Sequence, residues 1–259
     1  MDLRQFRSIA DSGNFQGPRL VNRRMLCGRK EAIADFLLPR SCCVCWEDLS
    51  PPLAGPLCGR CLRHLSPMNP PWCGRCGRQL KGGGRCRDCR GMSFSLDCIR
   101  AAFPYRGPVP TLLHAFKYRG WLSVGRALAG WMAGMLPRYP ELWGADAVVP
   151  VPLHPKRQTE RGFNQAAILA REVIFTYPAS IREILERRRN TPPQWRLTPA
   201  QRSGNLRDAF RVNPVARLGG TSLLLIDDVC TTGATLENCA QALKAAGAAR
   251  VSAFVMARS

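Results

Sequence analysis

The chain has 259 residues, 46% of them hydrophobic, which gives room for one full α/β domain and a small second one around a packed core. No run of about 18 uncharged apolar residues occurs, which excludes a membrane-spanning helix by pattern. The N-terminus lacks the apolar region of a secretory signal, so a cytoplasmic protein is expected. The formal charge of +20 points to anionic partners, either a phosphorylated small molecule or a nucleic-acid backbone, although 33 of the 38 basic residues are arginine, a bias that codon composition also produces.

Residues 1–24 are polar, carry Gly13, Gly17 and Pro18, and show no sustained period. An N-terminal extension over 1–35 is therefore expected to be disordered, with Met25 as an alternative start. Ile33, Phe36 and Leu37 give residues 30–38 the spacing of a short amphipathic helix that Pro39 ends.

Four Cys-x-x-Cys pairs follow within fifty residues: Cys42/Cys45, Cys58/Cys61, Cys73/Cys76 and Cys86/Cys89. Two intervening residues let both thiolates reach one tetrahedral ion, and two such knuckles close a structural Cys₄ site, so residues 36–92 are expected to be a double zinc ribbon holding two Zn²⁺ ions. Pairing in sequence order is the simplest arrangement, and an interleaved pairing stays open. A disulfide framework would need an oxidising compartment for which there is no export signal. Cys43 is left as a spare thiol, and Cys27, Cys98, Cys230 and Cys239 default to small buried filler. Eight thiolates on two zinc ions lower the formal charge to about +16. Within 41–92 the basic excess is almost cancelled by the two centres, whereas 93–259 keep a net +11. Any nucleic-acid surface is thus expected on the second domain or across the junction.

Beyond the ribbon, residues 99–105 read as a strand, Arg106-Gly107-Pro108 as a turn, and two helical patterns follow, one through Leu112, Leu113 and Phe116, the other over 122–136. Residues 145–151 form a strand leading to Pro150-Val151-Pro152, then a basic loop with Lys156, Arg157 and Arg161, then a helix over 163–174. A buried strand, a basic loop and a helix N-terminus can make an anion site, though three basic residues in a loop are more often solvated surface. Residues 187–205 have no clear period and are long enough for a lid or a disordered segment. Ala209 to Val212 look like a further strand.

Leu223, Leu224, Leu225 and Ile226 then run without alternation into Asp227 and Asp228, as in a parallel strand buried on both faces. Thr231, Thr232, Gly233, Ala234 and Thr235 open a helix whose apolar positions are Leu236, Cys239, Ala240 and Leu243, with Gly247 as its stop. Such a loop offers backbone N–H groups to a phosphate, and the two acids can hold ribose hydroxyls or orient a magnesium ion through its waters. The plain alternative is a buried strand whose acids cap a turn. Residues 251–256 read as the last strand.

The apolar run, acid pair, Thr-Thr-Gly loop and Thr235 together resemble the 5-phosphoribosyl 1-pyrophosphate (PRPP) motif of type I phosphoribosyltransferases. With Pro150-Val151-Pro152, Glu160 to Gln165, Arg189-x-Thr191-x-x-Gln194, Arg202-x-x-Asn205 and Ala209-Phe210, all behind a double zinc ribbon, residues 36–259 resemble the ComF family of competence proteins. The resemblance implies an α/β fold: a type I phosphoribosyltransferase-like parallel sheet with flanking helices over 93–259, preceded by the small ribbon. It implies catalytic or substrate-contacting roles for Asp227 and Asp228 at the ribose hydroxyls and Mg²⁺, and a 5′-phosphate site at Thr231, Thr232, Gly233, Ala234 and Thr235. It further implies a pyrophosphate site at Lys156, Arg157 and Arg161, and a mobile hood carrying Arg187, Arg189 and Arg202.

Two functions of different classes follow. One is a PRPP-binding protein of natural competence, with single-stranded DNA and the DNA-uptake machinery as partners. Aromatics beside basic residues (Phe116, Lys117, Tyr118, Arg119, Trp121; Trp195, Arg196) could stack bases, with core packing as the plainer role for each. The other is an active phosphoribosyltransferase of nucleotide salvage, for which no acceptor pocket is legible. Zinc removal is expected to unfold the ribbon while sparing PRPP binding.

Overall fold

The computed structural model describes residues 41–49, 55–188 and 209–259. Five strands, β1 (Cys98–Pro104), β2 (Ala147–Pro150), β3 (Ser180–Ile181), β6 (Ser222–Cys230) and β7 (Arg250–Arg258), form one sheet in the order β1-β7-β6-β2-β3. Every neighbouring pair is parallel. A separate antiparallel pair joins β4 (Leu185–Arg187) to β5 (Phe210–Val212). The expected parallel α/β sheet with flanking helices is therefore present. Parallel strands need crossovers on the sheet faces, and the helices supply them.

The unbroken apolar run of β6 follows from cover on both sides. Leu224 and Ile226 share a core with α2 (Val109–Tyr118), α3 (Leu122–Met135) and α5 (Gln165–Val173). Leu223 and Leu225 point the other way, into a core with α6 (Ala234–Ala245) and the β4–β5 pair. β7 divides likewise, Phe254 and Met256 to the first core, Val251, Ala253 and Val255 to the second.

Two elements depart from the expectation. The basic stretch after Pro152 is not a loop but a short helix, α4 (Pro155–Arg161). Its start is fixed by Pro155 in the first turn and by the His154 imidazole, which accepts from the Lys156 N–H at 3.2 Å. It buries no residue, so no apolar period announces it. The second departure is that β6 does not end at the acid pair but continues past Asp228 to Cys230 along β7, while its pairing with β2 ends at Pro150 and Ile226. Past that point β6 overhangs β2, and a cleft opens there.

The ribbon is built onto this sheet. The helix α1 (Gly59–Arg63) starts at Cys58 and carries Cys61. Cys42, Leu49, Leu57 and Leu65 enter the same core as α2 and α3. The second half docks along β1: Ile99 donates its N–H to the Arg75 carbonyl at 2.7 Å, and Met68 donates to the Ala102 carbonyl at 2.9 Å. Gly77 lies against β1 at φ +69°, where a Cβ would come within 2.5 Å of the Ile99 carbonyl oxygen, so only glycine fits. The helix expected over 30–38 lies outside the described residues. No helix among the described residues is long and apolar enough to cross a membrane.

Candidate functional site

The overhang of β6 forms the floor of a cleft of about 770 Å³. Asp227 and Asp228 line it from β6, Val151, Pro152 and Leu153 from the end of β2, and Arg157, Glu160 and Arg161 from α4. Asn164 and Gln165 face it at the start of α5, Arg187 from β4, Thr235 from α6, and Lys117 to Gly120 from the end of α2. Five basic side chains against three carboxylates make this an anion-binding cleft that keeps one acidic spot.

The acidic spot is organised by two contacts. Asp228 donates its backbone N–H to the Asp227 carboxylate at 2.8 Å, and Lys117 Nζ lies 2.8 Å from Asp228 Oδ1. Burial pushes the Asp227 carboxyl up to about 7 and the neighbouring Asp228 charge adds to it, while the Asp228 N–H, Lys117 and Arg187 pull the other way. Burial works against the Lys117 ammonium, but Asp228 outweighs it and raises its pKa above the usual lysine value. Two carboxylates thus share one ammonium, an arrangement poised to accept hydroxyl donors or a further cation.

On the opposite wall, Asn164 caps α5: its side-chain oxygen accepts from the Ala166 N–H at 3.0 Å, and its amide nitrogen donates to the Val151 carbonyl at 3.1 Å. That pair of bonds ties the end of β2 to the start of α5. Gln165 is 1% exposed; its Oε1 accepts from Arg161 at 3.2 Å, and its Nε2 has no partner among the described residues. An orphaned buried donor on a cleft wall is what a bound anion would satisfy.

The loop 231–234 turns into α6 through Gly233, at φ +87° with Ile99 Cδ1 3.2 Å from where a Cβ would stand. The Ala234 N–H donates to Thr232 Oγ1 at 3.3 Å, and the first turn of α6 leaves further N–H groups without carbonyls of their own helix.

Of the residues read from the sequence, the structure brings Asp227, Asp228, Thr235, Arg157, Arg161 and Arg187 around one cleft. Lys156 is exposed on α4 and is not among the lining residues, nor are Thr231, Thr232, Gly233 and Ala234, which form the neighbouring turn. Arg189 and Arg202 lie outside the described residues, as do Trp195 and Arg196. Sequence reasoning missed Lys117 and Gln165 as site residues. No pattern along the chain marks Lys117, since it enters the site only through its contact with Asp228, more than a hundred residues away.

The eight knuckle cysteines fall into two groups, Cys42/Cys45/Cys58/Cys61 and Cys73/Cys76/Cys86/Cys89, with the four sulfurs of each within 4.8 Å of one another. Pairing is therefore in sequence order. Zn–S bonds of about 2.3 Å in a tetrahedron place sulfurs about 3.8 Å apart. The Cys45–Cys58 and Cys76–Cys86 separations of 3.5 and 3.7 Å fit that ion. Although burial raises the Cys42 and Cys73 thiols, surrounding backbone N–H groups bring each down to about 6, and the Cys86 N–H donates to Cys73 Sγ at 3.4 Å. These are two structural zinc-ribbon centres with no open ligand position.

A third arrangement joins ribbon and sheet. The Arg119 guanidinium lies over the rings of both Trp46 and Trp121, 5.7 and 5.3 Å from their centroids, and Arg161 lies 5.1 Å over Tyr118. Trp46 and Tyr118 are 59% and 65% exposed, whereas Phe116 is wholly buried and belongs to the core.

Comparison with known proteins agrees with these features. A double zinc ribbon family model matches residues 33–90. The DNA utilization protein YhgH of Salmonella typhimurium is 32% identical over 160 residues, covering 60% of this chain and 69% of the relative. Competence protein ComFC of Bacillus subtilis is 31% identical over 189 residues, covering 67% and 72%. More distant is a solved glutamine PRPP amidotransferase from B. subtilis, at a TM-score of 0.36 and 19% identity over 51% of this chain, which spans only 26% of the amidotransferase chain.

Proposed function

This chain belongs to the ComF family of competence proteins, and from that premise we propose that it binds PRPP with Mg²⁺ in the β6 cleft and serves the handling of incoming single-stranded DNA. One observation carries the reading: an acid pair at the end of a parallel strand shares a cleft with Arg157, Arg161 and Arg187 and with Thr235 at the head of a helix. In this reading Asp227 and Asp228 meet the ribose hydroxyls and, through waters, the magnesium ion. Residues 231–235 take the 5′-phosphate on backbone N–H groups, and Arg157, Arg161 and the Gln165 amide take the pyrophosphate. Lys156, exposed on α4 next to Arg157, is not among the residues that line the cleft. Arg187, which lines the cleft from β4, is the described member of the expected hood, while Arg189 and Arg202 lie outside the described residues.

The division of labour we propose places the zinc ribbon at 36–92 and the phosphoribosyltransferase-like domain at 93–259. Relatives named for DNA utilization and competence bring DNA to this chain as partner, with the uptake machinery beside it. The Trp46–Arg119–Trp121 stack and Tyr118 favour single strands, whose unpaired bases stack on aromatic and guanidinium planes. Turnover is a second reading, favoured by exposed Tyr118 at the cleft mouth, where a flat acceptor base would find a ring.

The test is a melting curve. PRPP with Mg²⁺ is expected to raise the melting temperature with the concentration dependence of a single site, and ribose 5-phosphate to do so less. No shift at millimolar PRPP would remove the reading. Pyrophosphate release across a panel of bases, amines and DNA ends separates turnover from binding.

A further inference from the structure

Lys117 reaches the acid pair as a built part of the fold. It stands near the end of α2, and the residues on either side of it are held. Phe116 is wholly buried and stacks on Phe163 at 5.3 Å, while Tyr118 packs against His114 at 4.9 Å and carries Arg161 over its ring at 5.1 Å. Behind them the Arg119 and Trp121 N–H groups both donate to the Ala115 carbonyl, at 3.1 and 3.4 Å, and close the helix end. A fixed backbone therefore delivers the ammonium, and the Lys117 and Asp228 side chains are both largely buried. A charge so placed is tolerated only against a partner, and Asp228 Oδ1 at 2.8 Å is that partner. One oxygen of the neighbouring Asp227 is already taken by the Asp228 N–H, at 2.8 Å.

An acid pair can accept hydroxyl donors or a divalent cation, and Lys117 decides between them. A magnesium ion bound directly to a carboxylate sits about 2.0–2.1 Å from its oxygen. On Asp228 it would share that carboxylate with the ammonium, cation against cation in a place largely closed to water, and the cleft already holds more basic side chains than carboxylates. We propose that Lys117 is the resident cation of the Asp227 and Asp228 pair: its ammonium takes the place of a directly coordinated divalent ion, so the free protein takes up no metal there and the acids are kept for sugar hydroxyls. This rests on the functional reading for the identity of the sugar, not for the exclusion of the metal. A divalent ion then enters only on the pyrophosphate of a ligand and meets the acids through waters, since magnesium gives up its waters reluctantly and favours ligand phosphates. Lys117 is thereby a specificity-determining residue, and a sugar phosphate without a pyrophosphate binds with no divalent ion at all.

The experiment titrates manganese alone into the full chain at pH 8, follows it by its electron paramagnetic resonance signal, and counts zinc in parallel so that the Cys₄ centres are filled throughout. Wild type is expected to take up no manganese that Asp228→Asn removes. Lys117→Met is expected to gain one such ion and to lose it again in Lys117→Met/Asp228→Asn, whereas Lys117→Arg, which keeps the charge, excludes it as wild type does. Lys117→Gln takes the place of the methionine variant should that one fail to fold. Calorimetry with ribose 5-phosphate supplies a second readout: on adding magnesium its affinity for wild type should change by less than about twofold, and for Lys117→Met it should rise about tenfold. Manganese uptake by wild type that Asp228→Asn abolishes overturns the proposal, as does a folded, zinc-filled Lys117→Met that gains none, or equal magnesium enhancement of ribose 5-phosphate binding in the two proteins. Manganese exclusion by wild type and uptake by Lys117→Met, with no binding of PRPP or ribose 5-phosphate, defeats the functional reading and leaves this one standing; PRPP binding together with manganese uptake by wild type does the reverse.

Discussion

Replacing Lys117 by methionine removes the ammonium shared by the two aspartates. The Lys117 and Asp228 side chains are 18% and 12% exposed, so the pair lies nearer the buried than the exposed limit. Breaking a fully buried pair costs about 3–5 kcal/mol, and an exposed one contributes under about 1 kcal/mol. For a pair open on its cleft side we expect a loss of about 2–3 kcal/mol at pH 8, a fall in melting temperature of about 5–10 °C for a domain of this size. The loss must depend on pH. Lys117, raised by its partner, stays charged throughout the range 5–8, and its contribution disappears only above its folded pKa. The carboxylates, by contrast, can take up a proton. Asp227 already sits near 7 with Lys117 present, and without that charge it moves higher, so protonation relieves the repulsion in acid. Urea unfolding of Lys117→Met should therefore show its full deficit at pH 8 and a smaller one at pH 5. Adding Asp228→Asn should recover most of the loss. Equal deficits at the two pH values, or a coupling below about 0.5 kcal/mol in the double-mutant cycle, would refute the reasoning.

The folded pKa of Asp227, at about 7, exceeds the ordinary carboxylate value, so between about pH 4 and 7 the native state holds a proton that the unfolded chain has lost. Stability should then fall as pH rises through that window, by up to about 4 kcal/mol from this group, and Asp227→Asn should flatten the fall; an unchanged slope in the variant contradicts the assignment. Gly77→Ala, with its Cβ driven toward the Ile99 carbonyl, should lower stability by about 1–3 kcal/mol in thermal melts, and a neutral result would mean that knuckle and strand are not packed as described. Trp46→Ala and Tyr118→Ala should each weaken single-stranded DNA binding by about 1–3 kcal/mol in fluorescence titrations while leaving its salt dependence intact; unaltered affinity removes that surface. Metal analysis should return two zinc ions per chain, and any lower saturated value counts against one of the Cys₄ centres.

How far the sequence reaches into this architecture depends on whether a contact leaves a pattern along the chain. Leu223 to Ile226 declare a strand covered on both faces because burial alone dictates their type, and the four knuckles declare their geometry because zinc demands a fixed spacing. Helix α4 has no buried side, so Lys156, Arg157 and Arg161 read as loop and the rotation that turns Lys156 outward was invisible. β6 runs past Asp227 and Asp228 to Cys230, because how far a strand continues is set by its partners: β7 reaches Arg258, β2 stops at Pro150. Lys117 and Gln165 needed the fold, since one meets Asp228 more than a hundred residues away and the other reveals itself only as an unsatisfied amide. Cys230, set down as filler, accepts a hydrogen bond from a buried arginine that no spacing could have announced.

The most direct measurement of the central claim is calorimetric titration of PRPP with Mg²⁺ into the wild-type protein and into the Asp227→Asn/Asp228→Asn variant at matched fold and zinc content. The account predicts saturable one-site binding by the wild type and none by the variant. Silence from the wild type, or equal binding by both, would contradict it.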